Sequence, residues 1–284
     1  MILKLLLGII ALGAAPVLGG LLAGVDRRIT AKFQSRMGPP VLQPFYDVAK
    51  LWGKERNAYN VWVAFSSWVY LGAAASSCAL FFMGSDLLLI FFIQAIGAVF
   101  LIIGALSVPS PYSQVGAHRE LMQVLTYEPL LILVIVGINL VTGSFRVDTI
   151  IGYDTPLLMK LPLLFIVLGY ALTIKLRKSP FDISASHHAN QEVNRGVYTE
   201  YSGRYLALCE IAHWYEVILV LGLCGLFFAT NIVGLVVLLA ATYMAEIIID
   251  NATSRMTWRW MLGSVWLTGL GLSIANLTWL YAGK

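Results

Sequence analysis

The chain has 284 residues, 59% of them hydrophobic and only 12% charged, about half the charge of a soluble domain. Continuous apolar runs of about 20 residues exclude the alternating pattern of a β-barrel. They predict an all-α integral membrane protein with about eight transmembrane helices and structured loops. The net charge of +4 follows from how the loops are charged, and it implies no affinity for nucleic acid.

The first predicted span covers residues 3–25. Its apolar run, Leu5–Val25, is longer than the core of a secretory leader, has one preceding Lys4, and shows no convincing cleavage site, so it reads as a membrane helix. The connection 26–59 follows, with Arg27, Arg28, Lys32, Arg36, Lys50, Lys54 and Arg56. Within it Gly38-Pro39-Pro40 predicts a rigid turn that cannot continue a helix. After Pro44, the residues Phe45, Val48, Ala49, Leu51 and Trp52 oppose Asp47, Lys50, Lys54 and Glu55. That pattern suits a short helix lying in the membrane interface, and a simple surface anchor is the plainer alternative.

Spans at 60–83 and 87–107 come next, followed by a short loop, 108–119, with Arg119. The fourth span, 120–142, holds Glu128 directly before Pro129, and the fifth covers 157–176. The loop 177–205 contains "RKSPFDISASHHANQEVNRGVYTEYSG", the most polar long stretch in the chain, and is too long for a simple turn. Spans 206–229 and 231–250, the loop 251–258 and a last span, 259–281, complete the pattern. No soluble domain fits between the spans, so residues 1–284 form one membrane domain. The ends after spans one, three, five and seven carry fifteen of the nineteen Lys and Arg. The positive-inside rule then puts those loops in the cytoplasm and both termini outside, in a multi-pass protein of the cell membrane.

Carboxylates inside spans are costly to ionise, by several kcal/mol, and are functional candidates for that reason. Glu128, Glu210, Glu216 and Glu246 meet this description. Structural pairing with a neighbouring Lys or Arg is the alternative. Glu210, His213 and Glu216 step round a helix by about 60° each and rise about 9 Å in total, a ribbon suited to passing protons with ordered water. Glu210-x-x-His213 also has the spacing of one half of a di-iron site, and Cys209 lies one turn from His213. A di-iron site needs a second such motif, and the sequence has none. His187 and His188 are adjacent and point apart, so no metal is expected. Cys78, Cys209 and Cys224 form no CxxC pair, which argues against an iron–sulfur cluster held by this chain. Walker A, strand-linked GxGxxG and nucleophile-elbow motifs are missing as well.

Three stretches together, "RMGPPVLQPFYDVAKLWGKE", "HRELMQVLTYEP" and the 177–203 segment, resemble one family in matching order. It is the membrane subunit shared by respiratory complex I (its subunit 1, or H) and the energy-converting [NiFe] hydrogenases. The complex I pattern A-E-x-N-R-x-P-F-D is matched by residues 174–182, but Lys175 replaces the glutamate. Tyr127-Glu128-Pro129 and Ser186-His187-His188 are more similar to the hydrogenase branch, in particular its small ferredoxin-linked type.

The resemblance implies a coupling subunit whose cytoplasmic loops dock a peripheral redox arm. Asp182, Glu192 and Glu200 match the acidic positions of the long loop, and Glu128 matches a buried glutamate. With Glu210, His213, Glu216 and Glu246 they would form the proton path. Arg36, Asp47, Lys54, Glu55, Arg177, Lys178, His187, His188 and Arg195 would dock or gate. The resemblance further implies no cofactor in this chain, with a [NiFe] centre and iron–sulfur clusters in partner subunits. Those partners would be hydrogenase large and small subunits, an iron–sulfur subunit and an antiporter-like membrane subunit, all in a lipid bilayer. A quinone or methanophenazine reductase subunit of the complex I type is the first rival. An independent secondary transporter is the second, and it predicts inverted repeats that the two halves of the sequence do not show.

Overall fold

The computed structural model describes residues 2–55, 58–185 and 195–282. Its helices in chain order are α1 (Ile2–Phe33), α2 (Gln43–Trp52), α3 (Val61–Phe82), α4 (Leu87–Leu106), α5 (Pro111–Thr142) and α6 (Val147–Ile151). They continue with α7 (Leu157–Lys160), α8 (Pro162–Lys175), α9 (Gly203–Leu226), α10 (Ile232–Ala252) and α11 (Trp258–Ala282). A 3₁₀ turn covers Gly196–Tyr198. Seven of the helices are long and apolar enough to cross a membrane, and α8 is an eighth, shorter apolar helix. The protein is a multi-pass, all-α membrane protein, as its hydropathy predicts. Two helices outrun their apolar segments: α1 continues through Arg27, Arg28 and Lys32, and α5 begins nine residues before the predicted span.

Two compact units emerge, each assembled from separated segments. The first comprises Met1–Met83, Phe91–Leu121 and Ile183–Ile218. Its packing starts from the small stripe of α1: Gly8, Ala11, Ala15, Gly19, Gly20, Gly24 and Ala31 are buried, while bulky residues such as Ile9 and Leu18 are exposed. Small residues let membrane helices approach closely. A Cβ on Gly19 would sit 2.7 Å from Trp214, and one on Gly24 would sit 1.8 Å from the Val41 carbonyl oxygen. That second contact is what folds the first connection back on α1.

The short helix expected after Pro44 is α2. It starts with proline in its first turn, where the missing N–H costs nothing. Asn60 caps α3 by accepting the Val63 N–H at 2.9 Å, and its Nδ2 donates to the Ser107 carbonyl at 3.0 Å. Tyr201 Oη donates to the Leu101 carbonyl at 3.0 Å and lies 2.9 Å from Ser66 Oγ. Burial pushes this phenol well above its usual range, so it stays a donor.

The second unit comprises Gly84–Ile90, Met122–Asp182 and Leu219–Lys284. Here the expected fifth span, 157–176, is corrected: it is two helices broken at Leu161, whose φ and ψ are −127° and 46°. Pro162 has no N–H and cannot extend α7. Irregular backbone at membrane depth needs a protein partner. Asn276 of α11, fully buried, provides one. Its Oδ1 accepts the N–H groups of Leu163 (3.0 Å) and Leu164 (3.1 Å), and its Nδ2 donates to the Lys160 carbonyl (3.1 Å). The connection after α10 is pinned too, because the Met256 N–H donates to the Pro180 carbonyl at 2.7 Å.

Candidate functional site

In the first unit the site is built on α9. Glu210, His213 and Glu216 share this continuous helix, so their spacing follows helical geometry, rising about 9 Å from first to last. Glu210 is paired: Arg195 Nη2 lies 3.3 Å from its Oε1. His213 Nδ1 is 3.7 Å from Glu216 Oε2, and Glu216 is only 4% exposed.

Glu216 also reaches α4. Gln94 Nε2 donates to Glu216 Oε1, and Ser77 Oγ of α3 donates to Gln94 Oε1 at 2.9 Å. Three helices therefore meet at one polar knot. Sequence reasoning missed Gln94 and Ser77. Gln94 did carry a signal, since it is the sole polar side chain between Leu87 and Leu106. A lone amide in so apolar a helix needs a partner. Ser77 carried no comparable signal, because a serine can bond its own helix backbone, as this one does to the Ala74 carbonyl at 2.9 Å.

The second unit holds another group of ionisable residues. Only Tyr243, Glu246 and Ile247 of α10 are buried. Thr173 Oγ1 of α8 donates to Glu246 Oε1 at 3.1 Å, and Glu246 Oε2 makes no hydrogen bond among the described residues. One turn away, Asp250 Oδ1 accepts the Ser179 N–H at 2.8 Å. Lys178 Nζ lies 5.1 Å from the Tyr243 ring centre, and Lys175 Nζ lies 4.8 Å from that of Tyr127, the residue before Glu128. Cation–aromatic contacts at this distance hold an ammonium group with little water.

The sequence-derived docking residues divide by exposure. Arg36, Lys54 and Glu55 are exposed, and Arg36 donates to the Gln34 side chain. Asp47 accepts from Arg27 Nη1 at 2.9 Å and from Gln43 Nε2 at 3.0 Å. Arg177 and Lys178 are 7% and 5% exposed. Asp182 is half-buried, with its main-chain oxygen accepting from Gln123, and Glu200 is half-buried in the turn before α9. His187, His188 and Glu192 fall outside the described residues. Among the described residues no three His, Cys, Asp or Glu side chains converge as a metal site would require.

A family model described as NADH dehydrogenase matches residues 5–281. Hydrogenase-4 component C of Escherichia coli K12 is 29% identical over 92% of this chain and 90% of its own. Formate hydrogenlyase subunit 4 of the same strain is 32% identical over 64% of each. A NADH-quinone oxidoreductase subunit of Dehalococcoides mccartyi CBDB1 is 29% identical over 69% of this chain and 60% of its own. The fold alone is shared with a chain of the membrane-bound sulfane sulfur reductase, an archaeal respiratory membrane complex. That match has a TM-score of 0.87 at 22% identity and covers 98% of this chain and 99% of the other. With nearly its whole length matched, the chain belongs to the NADH dehydrogenase subunit 1 family of membrane proteins.

Proposed function

We propose that this chain is the anchoring and coupling subunit of an energy-converting, ferredoxin-linked [NiFe] hydrogenase. It would dock a peripheral redox arm through its charged loops and carry part of a proton or ion path. The observation that carries the reading is the buried knot of Glu216 with Gln94, beside His213 on the same helix as Glu210. A carboxyl group this enclosed is retained at a cost unless it has a role. Likeness to hydrogenase-4 component C and to formate hydrogenlyase subunit 4 favours the hydrogenase branch, as does Lys175 in place of the complex I glutamate.

In this reading His213 Nδ1 and Glu216 Oε2, 3.7 Å apart, exchange a proton directly once a small side-chain rotation closes the gap. Gln94 orients Glu216 by donating to one of its oxygens, leaving Oε2 toward His213. Arg195 pairs with Glu210 at 3.3 Å at the start of this ribbon. In the second unit Glu246 keeps one oxygen on Thr173, and its Oε2 is the atom that would carry a proton. The loops bearing Arg36 and Glu55 would face the cytoplasm with the partner subunits, which would hold the nickel–iron and iron–sulfur centres.

The test is to purify the intact complex through a tag on this chain and measure nickel, iron and ferredoxin-linked hydrogen evolution. Stoichiometric nickel with that activity is the expected result. A complex without nickel that retains a quinone in its lipid extract would favour the second reading, a complex I-type reductase subunit. That reading draws on the likeness to the NADH-quinone oxidoreductase subunit of Dehalococcoides mccartyi.

A further inference from the structure

The second unit sets two lysines on two tyrosine rings, and each ring lies close in the chain to a glutamate. Lys175 Nζ is 4.8 Å from the ring centre of Tyr127, whose next residue is Glu128, and its charge acts on that carboxylate. Lys178 Nζ is 5.1 Å from the ring centre of Tyr243, which precedes Glu246 by one turn on the short buried stripe of α10. Among the described residues the charges acting on Glu246 are Lys178 and Asp250, and of these only Lys178 is positive. Lys178 and Glu246 are both 5% exposed, so each depends on its neighbours rather than on water to offset its charge.

The backbone fixes this juxtaposition. After α8 the chain passes through Arg177 in the left-handed region, at φ 55°, a conformation that disfavours any residue with a Cβ. That turn lets the Lys178 N–H reach back to the Thr173 carbonyl at 3.1 Å, a closure of the helix end that glycine usually provides. Thr173 is also the residue whose Oγ1 donates to Glu246 Oε1 at 3.1 Å. One threonine therefore joins Lys178, through its carbonyl, to Glu246, through its hydroxyl. The next two residues fasten the same segment. The Ser179 N–H donates to Asp250 Oδ1 at 2.8 Å, and the Pro180 carbonyl accepts the Met256 N–H at 2.7 Å. With Oε1 taken by Thr173, the buried Oε2 of Glu246 makes no hydrogen bond among the described residues.

We propose that Lys178 is a positioning residue for Glu246, the counter-charge that lets its carboxyl group stand ionised inside the unit and so release a proton along the path. This rests on the reading of Glu246 as a proton carrier. In the step itself the O–H bond at Oε2 breaks and the proton leaves for the next group. The electron pair stays on the carboxylate, and the Lys178 ammonium offsets the new charge while keeping its own protons. A cation beside a buried carboxylate favours the charged form, and without one the ion stands uncompensated. Asp250 is negative and is already engaged by the Ser179 N–H, so it cannot take this part. Cys224 of α9 also senses Glu246 but brings no positive charge.

The experiment uses the intact complex in vesicles, with protons moved per electron and thermal unfolding measured on the same preparations. Lys178→Met should lower protons per electron about twofold or more. Lys178→Arg keeps a cation on the Tyr243 ring and should restore most of the loss. Lys178→Met and Glu246→Gln should each lower the melting temperature, and the double variant should melt above Lys178→Met, because no unmatched charge is left inside. If Lys178→Met does not assemble, the double variant decides the pairing: it should assemble, and its failure would overturn the proposal. A lysine that only holds the fold would change melting alone, so Lys178→Met with normal protons per electron would overturn the proposal. Lys178→Arg as impaired as Lys178→Met would do the same, since charge would not be what Glu246 needs. Melting losses that simply add in the double variant would also overturn the pairing. Normal protons per electron in Glu246→Gln is a different failure: it would remove Glu246 from the path and overturn the reading on which this role rests.

Discussion

Thr173 Oγ1 donates to Glu246 Oε1 at 3.1 Å and so joins α8 to the only buried part of α10. Most of α10 is exposed and apolar, for example at Val233, Val236 and Val237. Lipid is as apolar as those valines and gives no hydrophobic force between helices. The polar contact therefore helps to seat α10 alongside close packing. Thr173→Val keeps the shape and removes the donor, leaving a buried carboxyl oxygen without its partner. The expected cost is about 1–3 kcal/mol. Thr173→Ser should recover most of it. Thermal unfolding in nanodiscs measures both, and equal melting of Thr173→Val and wild type would show that the bond contributes nothing.

Asn276 makes a stronger case, because one side chain serves both sides of a broken helix. Asn276→Leu would leave two N–H groups and one carbonyl unsatisfied in a site that water does not reach. A loss of about 3–5 kcal/mol is expected from the buried polar groups together. Asn276→Asp keeps the acceptor for Leu163 and Leu164. It should fall between the two at low pH, where the protonated carboxyl can still donate to Lys160, and approach Asn276→Leu at high pH, where a buried carboxylate faces that carbonyl. Protease resistance of the segment 153–162 should follow the same order. Similar resistance in all three proteins would mean that the break is held by something else.

How far the architecture could be read beforehand depends on which physical signal each part carried. Hydropathy alone located the eight apolar segments, because a membrane demands long apolar runs and little else does. It could not locate the break at Leu161, since Pro162 lies in an apolar run and its rescuer, Asn276, is more than a hundred residues away. Length was misjudged at Phe33 and Pro111 because helices can extend into water without changing the apolar signal. Carboxylates in spans were legible as candidates from their cost. Their partners were not, since Arg195, Thr173 and Gln94 reach them across the fold. Arg177 and Lys178 are buried despite their charge, and nothing in the local sequence signals this.

Gln94→Leu tests the knot around Glu216. Removing the amide takes away the donor to a buried carboxylate, and the protein should lose about 1–3 kcal/mol of stability. If Gln94 merely fills space, leucine at this position in an apolar helix should be neutral or stabilising. The signs of the two expectations differ, so a single unfolding curve separates them. Proton uptake per electron should also fall in Gln94→Leu, because Glu216 would no longer be held toward His213.

Membrane orientation rests on the uneven distribution of Lys and Arg, and it can be tested with little background. Cys78, Cys209 and Cys224 are all buried, so introduced cysteines should dominate labelling. Glu55→Cys and Ser254→Cys should react with an impermeant maleimide only from the cytoplasmic side. A cysteine in the segment 153–156 should react only from outside. Reaction of Glu55→Cys from outside would reverse the assigned topology.

Glu128 and Glu210 offer the sharpest test of the coupling role, because they lie in different compact units and have different partners. Glu128 is half-buried on α5 directly before Pro129, which cannot donate a backbone hydrogen bond and so leaves room for water nearby. Lys175, held on the neighbouring Tyr127 ring, is the cation that acts on it. Glu210 has Arg195 instead, at 3.3 Å. Glu128→Gln and Glu210→Gln keep the side-chain shape and remove the titrating group. If protons move through these carboxyls, both variants should assemble with normal metal content and show a clear fall in hydrogen-linked proton uptake in vesicles. Electron transfer should fall in parallel if coupling is tight. Aspartate at either position should restore part of the activity, since it returns a carboxyl group at shorter reach. A purely structural ion pair predicts another outcome: Glu210→Gln would lower stability through the loss of its Arg195 partner while leaving protons moved per electron unchanged. Normal uptake per electron in both Gln variants would remove these residues from the path.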